Sequence, residues 1–201
     1  MAGNVTFNPS LTLNGQNTFL KRTTGWIQGA VWDDPVARMW LLSGQIDSSV
    51  TQPVWGGMAI TESVPTAASQ NYAGSTLTIA AANADITGFT VYTQVNNAII
   101  VPGNTAPIVV AGQSMAFFRF GSNIRIPLRA DPTLVASLEG GSITQQVSWD
   151  FTNQQVIAYS SGIGALPVKI LAVNDNSKYV TYDSGTGLCS WNQGDTVLVQ
   201  L

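Results

Sequence analysis

The apolar residues of this 201-residue chain recur at a period of two, in short runs of β-branched and aromatic residues broken every few positions by Gly, Pro or Asn. That period sends successive side chains to opposite faces of an extended strand, whereas a helix needs apolar residues three and four apart. The expected fold is therefore all-β, with short antiparallel strands forming a small sandwich or barrel, an extended N-terminal arm and a C-terminal set of β-hairpins. A chain of this length buries roughly 70% of its unfolded surface, enough for a core without disulfide support.

Four stretches follow from the pattern. Residues 1–22 are polar with isolated apolar anchors, Phe7, Leu11, Leu13 and Phe19. Such a strip builds no core alone and is expected to be an extended arm that is either disordered or laid across another surface. Residues 23–62 hold four of the six tryptophans, Trp26, Trp32, Trp40 and Trp55. Within them Asp34-Pro35 resembles a helix start, with apolar residues through Leu42 filling one face, although a buried strand fits the same run. Residues 63–140 form a central β domain with strands expected at 76–81, 89–95, 98–101, 108–110, 114–120 and 123–128, and a two-residue turn at Asn96-Asn97. In the last of these, Ile124, Ile126 and Leu128 alternate with Arg125, Pro127 and Arg129, so the apolar set faces inward and both arginines outward. Asp131-Pro132 marks a helical turn or a further strand. Residues 141–201 are expected to form three hairpins, turning at 152–154, 174–177 and 192–195.

The residue inventory narrows the function. There is no His, one Cys (Cys189) and only two Glu, Glu62 and Glu139. Most residue-encoded hydrolytic, redox and zinc chemistry draws on His, paired Cys or paired carboxylates. The chain is accordingly expected to be no enzyme and to hold no metal or cofactor. A glycosidase-like pair remains conceivable from nine Asp, but most of these sit beside Pro, Asn, Ser or Gly as caps and turn formers, leaving Asp33, Asp47 and Asp150 as the less easily explained ones. Cys189 is expected to be a small apolar strand residue. Eight basic and eleven acidic residues without a basic cluster argue against nucleic acid. The N-terminus shows no basic segment leading into an apolar one, and no apolar run reaches bilayer length, so no membrane contact and folding in a cytoplasm are expected.

What remains is surface. The tryptophans fill a core, anchor an interface or stack on sugar rings. Arg119, Arg125 and Arg129 form either a solvated face or contacts to an acidic partner. With Trp26, Trp32 and the four arm anchors, these arginines are the candidate partner-binding residues.

Through Ile86-Thr87-Gly88-Phe89-Thr90-Val91, Ile100-Val101-Pro102-Gly103, Phe117-Phe118-Arg119-Phe120-Gly121-Ser122 and Val147-Ser148-Trp149-Asp150-Phe151, the chain resembles the head decoration (cement) proteins of tailed bacteriophages over about residues 64–160. The resemblance implies a structural virion protein on the capsid exterior, assembled in the host cytoplasm. It would bind the major capsid protein and itself, as a homotrimer or a dimer, and stabilise the shell. The alternative is a phage tail or baseplate module that binds host carbohydrate.

Overall fold

The computed structural model describes residues 25–31, 37–64, 74–93 and 103–201. Strands dominate, as the period of two requires. β1 (Leu42–Ile46), β2 (Ala59–Ser63), β3 (Ser75–Ile79), β4 (Gly88–Thr90) and β5 (Ser114–Arg119) close into a barrel in the order β1-β3-β2-β4-β5. All its pairings are antiparallel except β1 with β3. A second sheet has the order β6-β10-β9, from β6 (Arg125–Arg129), β9 (Lys169–Asp183) and β10 (Leu188–Gln200). β7 (Val147–Asp150) and β8 (Gln155–Ala158) form a separate hairpin.

Two apolar cores result. One fills the barrel with the inward residues Ile46, Ile60, Leu77, Met115 and Phe117. The other lies between the outer face of β2, β4 and β5 and the second sheet with the β7–β8 hairpin, where Ala59, Phe89 and Phe118 meet Ile126, Leu128 and Val199 of the sheet and Trp149 of the hairpin. Adjacent Phe117 and Phe118 therefore point to opposite faces of β5, and both are fully buried. Trp149 is central to the second core, with its ring 5.0 Å from that of Phe89 in an edge-on arrangement.

The sheets do not respect the boundaries at 62/63 and 140/141. β1 and β2 come from the Trp-rich stretch, yet they close the barrel with β3, β4 and β5. β6 belongs to the central stretch, yet it pairs with β10 over Arg125–Arg129. The expected 89–95 strand is short: after Thr90 the backbone leaves β4, and Tyr92 N donates to Gly29 O. The 98–101 strand and the Asn96-Asn97 turn lie outside the described residues. In the 108–110 stretch, Val109 pairs with Val54 as an isolated bridge.

The C-terminal region is corrected in its turns. Only 152–154 turns as expected; neither 174–177 nor 192–195 is a hairpin, because each lies inside one of two long strands, β9 and β10, of 15 and 13 residues. Asn174–Ser177 takes up a bulge instead. Ser177 pairs with Gly194 and Asn174 with Thr196, so two residues oppose Asp195. The polar groups that suit a turn here satisfy the bulge: Asn174 Oδ1 accepts from Asn176 N at 2.8 Å, and Thr196 Oγ1 donates to Ser177 Oγ at 2.6 Å. The segment Trp26–Gln28 completes it, with Trp26 N donating to Ser177 Oγ at 2.9 Å and Lys178 N to Trp26 O at 2.7 Å. The turn of this hairpin lies at 184–187, where Asp183 accepts from Gly185 N and Thr186 Oγ1 and Gly187 has φ of 71°.

The long hairpin ties the cores together. Ile170, Val197 and Val199 enter the second core, and Val180 and Cys189 enter the barrel core. Cys189 is fully buried, and burial pushes its thiol up to about 12, so it behaves as the small apolar residue expected.

Two short α-helices and a 3-10 turn at Asn83–Asp85 complete the described elements. α1 (Ala37–Trp40) precedes β1, so the ambiguous run to Leu42 divides into a helical turn and the first strand residue. α2 (Pro132–Leu138) begins at the second Asp-Pro, with Asp131 accepting from Thr133 N and Leu134, Val135 and Leu138 buried.

Candidate functional site

The N-terminal end of β1 and the C-terminal ends of β2 and β5 meet at one mouth of the barrel. A cavity of about 610 Å³ opens there between Leu42, Ser43, Glu62, Ser63, Val64, Gly74, Ser75 and Arg119. Its polar centre is Glu62. The Arg119 guanidinium donates to that carboxylate through Nε and Nη2, each at 2.6 Å, and Ser75 Oγ donates to it as well. Glu62 N donates to Thr87 Oγ1 at 2.8 Å, which holds the strand end in place. The Arg119 hydrogen bond is the main cause of a Glu62 pKa below its ordinary value; partial burial opposes it, and Ser75 and the arginine charge reinforce it. The same pairing raises Arg119.

Exposed apolar residues flank in sequence the strand ends that form this mouth. Met39 is 83% exposed, Trp40 55% and Val64 89%, with Leu41 beside them. Leu41 leads into β1 and Val64 leaves β2, which brings the chain stretches together at the mouth. The expectation that residues 34–42 fill one buried face therefore holds for Ala37, which is buried, and fails for Met39 and Trp40. Four consecutive apolar residues, Met39 to Leu42, cannot all point inward from a helical turn running into a strand. That run was the available signal for the exposed apolar residues.

The sequence-based candidates are dispersed. Phe7, Leu11, Leu13, Phe19 and Trp32 lie outside the described residues. Trp26 is half-buried against β9. Arg119 is engaged by Glu62. Arg125 is exposed on β6, and Arg129, about 13 Å along that strand, donates to Asn153 O and lies 4.6 Å over the Tyr179 ring. The three arginines thus have three different environments.

Two of the less easily explained aspartates close turns. Asp47 accepts from Ser49 N, and Asp150 from Thr152 N, Asn153 N and Asn153 Nδ2. Hydrogen bonds lower both below the usual carboxylate range, for Asp150 against the opposing effect of burial. Asp33 lies outside the described residues.

The Glu62–Arg119 pair makes a pH prediction. Glu62 is depressed in the folded state, so its contribution is complete above its unfolded value near 4.5 and is lost as pH falls through the lower folded value. The arginine is largely exposed, which limits the effect to about 1 kcal/mol. In urea unfolding at pH 7, Glu62→Gln is expected to be less stable than wild type by about that amount, with the gap closing towards pH 3. A gap unchanged at pH 3 would show that the charge of Glu62 plays no part.

No family model, curated protein or solved structure matches this chain.

Proposed function

We propose that the chain is a structural virion protein that binds the outer surface of an assembled phage capsid and stabilises it. The observation that carries this reading is the set of exposed apolar residues that flank the strand ends of the barrel mouth in sequence, Met39, Trp40 and Leu41 before β1 and Val64 after β2. Large exposed apolar groups grouped beside polar ones mark protein-binding surfaces, and a Trp at the centre of such a patch commonly dominates the binding energy. The inventory supports the same reading, since the chain has no His and its single thiol is buried. The partners are the major capsid protein and further copies of this chain, with a trimer favoured, and residues 1–22 contribute anchors through Phe7, Leu11, Leu13 and Phe19.

The test is co-sedimentation with assembled capsids of the virus that encodes the chain. Wild type is expected in the capsid pellet, and Trp40→Ser to need at least about tenfold more protein for the same occupancy, the loss typical of an interface anchor. Wild type left in the supernatant would sink the proposal. Exposed Trp40 also supports a second reading, a tail or baseplate module that stacks Trp40 on host sugar rings. Retention on host surface polysaccharide, lost with the same variant, would favour it.

A further inference from the structure

The segment Gly25–Gly29 is held by parts of the fold that lie far from it in sequence. Trp26–Gln28 runs parallel to β9, with Ile27 opposite Lys178. Lys178 N donates to Trp26 O at 2.7 Å, Gln28 N to Lys178 O at 2.8 Å, and Trp26 N to Ser177 Oγ at 2.9 Å. Gly29 then leaves β9. Its N donates to Pro127 O on β6 and its O accepts from Tyr92 N, each at 2.8 Å.

Gln28 fastens this segment. It is almost wholly buried, and both ends of its carboxamide are bonded: Oε1 accepts from Val180 N at 3.0 Å and Nε2 donates to Gly57 O at 3.3 Å. One side chain thereby ties β9 to the loop before β2. The ends of the segment have no room for side chains. A Cβ on Gly25 would fall on Asn174 Oδ1 and Asn176 O, and one on Gly29, whose φ is 75°, on the Gly56 backbone. The partners adjoin both cores: Val180 belongs to the barrel core, while Pro127 lies between Ile126 and Leu128 of the other and Tyr92 follows its Val91.

We propose that Gly25–Gly29 is a load-bearing latch, which passes tension on the chain before it into both cores. A pull on that chain runs back along β9, because Trp26–Gln28 is parallel to it. The two backbone bonds to Lys178 lie across this pull and are sheared together, with the bonds of Gln28 and Gly29 behind them. The inference rests on the reading that Phe7, Leu11, Leu13 and Phe19 anchor the chain to a shell, since such anchors pull through Gly25. Its test uses the chain without capsids, so its failure is distinct from a failure of attachment.

The experiment is force spectroscopy on single molecules of the full chain, held by DNA handles at Thr24→Cys and Ser184→Cys and kept at constant force. Ser184 is exposed in the turn of the long hairpin, so the load runs along β9. Cys189 is fully buried and takes no handle. The readout is the time to the first lengthening step, which reports the rate of release under load.

Gln28→Ala leaves Val180 N and Gly57 O without their partner, and is expected to shorten that time at least about tenfold. Ser177→Ala removes the hydroxyl that accepts from Trp26 N, and is expected to shorten it about fivefold. Gln45→Ala removes a similar bond, from Nε2 to Gly112 O at 2.9 Å, on the barrel and outside the load path; it is expected to change nothing. Circular dichroism checks that each variant is folded, and Ser177→Ala carries the comparison if Gln28→Ala is not. Wild-type times in the Gln28 and Ser177 variants would overturn the proposal. So would an equal shortening in Gln45→Ala.

Discussion

Trp149→Ala is expected to be the most damaging single truncation in the described chain, lowering stability by about 3–5 kcal/mol, the usual cost of removing a large aromatic side chain from a packed core. Trp149 is fully buried where the outer face of the barrel meets the second sheet, in contact with Phe89 and surrounded by side chains from both. No single element can collapse into the void without breaking its own pairing. Since a domain has only about 5–15 kcal/mol in total, such a loss would leave it marginal. Trp149→Phe separates packing from hydrogen bonding. Among the described residues the indole N–H has no acceptor, so phenylalanine forfeits no polar partner there and is expected to cost about 1 kcal/mol through lost volume. Urea unfolding followed by circular dichroism measures both. Equal midpoints for the two variants would mean that the interface relaxes around Trp149 and does not depend on it.

Gly88→Ala is expected to cost about 3 kcal/mol, the upper part of the range for overfilling a packed site. β4 is only three residues long and is paired on both sides, Gly88 lying opposite Ile60 on β2 and Arg119 on β5. A Cβ on Gly88 would fall 1.9 Å from Phe118 O, a backbone atom of the neighbouring strand. Strand spacing is set by the hydrogen-bond ladder, and in a closed barrel a displaced strand has no free edge to move toward. Gly112 provides the comparison. It has φ of 82°, but nothing lies within 4 Å of an added Cβ, so Gly112→Ala carries only the backbone penalty of about 1–2 kcal/mol. Thermal unfolding of both variants distinguishes the causes: comparable losses would show that the close approach at Gly88 relaxes freely.

The two cores and the hairpin that joins them make folding of the described chain a shared event. Val180 and Cys189 sit in the barrel core, while Ile170 and Val199, on the same two strands, sit in the other. A variant that loosens either core is therefore expected to loosen the attachment of the other, and the barrel mouth and the C-terminal sheet are held by one framework.

The strand character of the chain was legible from its period alone, because alternation is a property of the extended backbone and needs no partner. Asp131-Pro132 left a helical turn or a strand open; the cap that decides for the helix is itself local, since the carboxylate accepting from Thr133 N lies two residues away. Pairing across long separations was not local. Asn174 to Ser177 has the composition of a turn and becomes a bulge because Trp26 and Thr196, far away in sequence, supply its hydrogen-bond partners. Phe117 and Phe118 break the alternation because a second core covers the outside of the barrel there. Met39 and Trp40 stay exposed because the helical turn runs into a strand at a mouth that nothing in the described chain covers. Trp55 and Arg129, far apart in sequence, line one cavity only because the loop before β2 and the end of β6 come together in the fold. Local backbone preference determined which segments extend and where some of them begin; which faces are buried, which polar runs turn and which donors converge depended on contacts between segments far apart in the chain, whose free energies exceed the preferences of any short stretch.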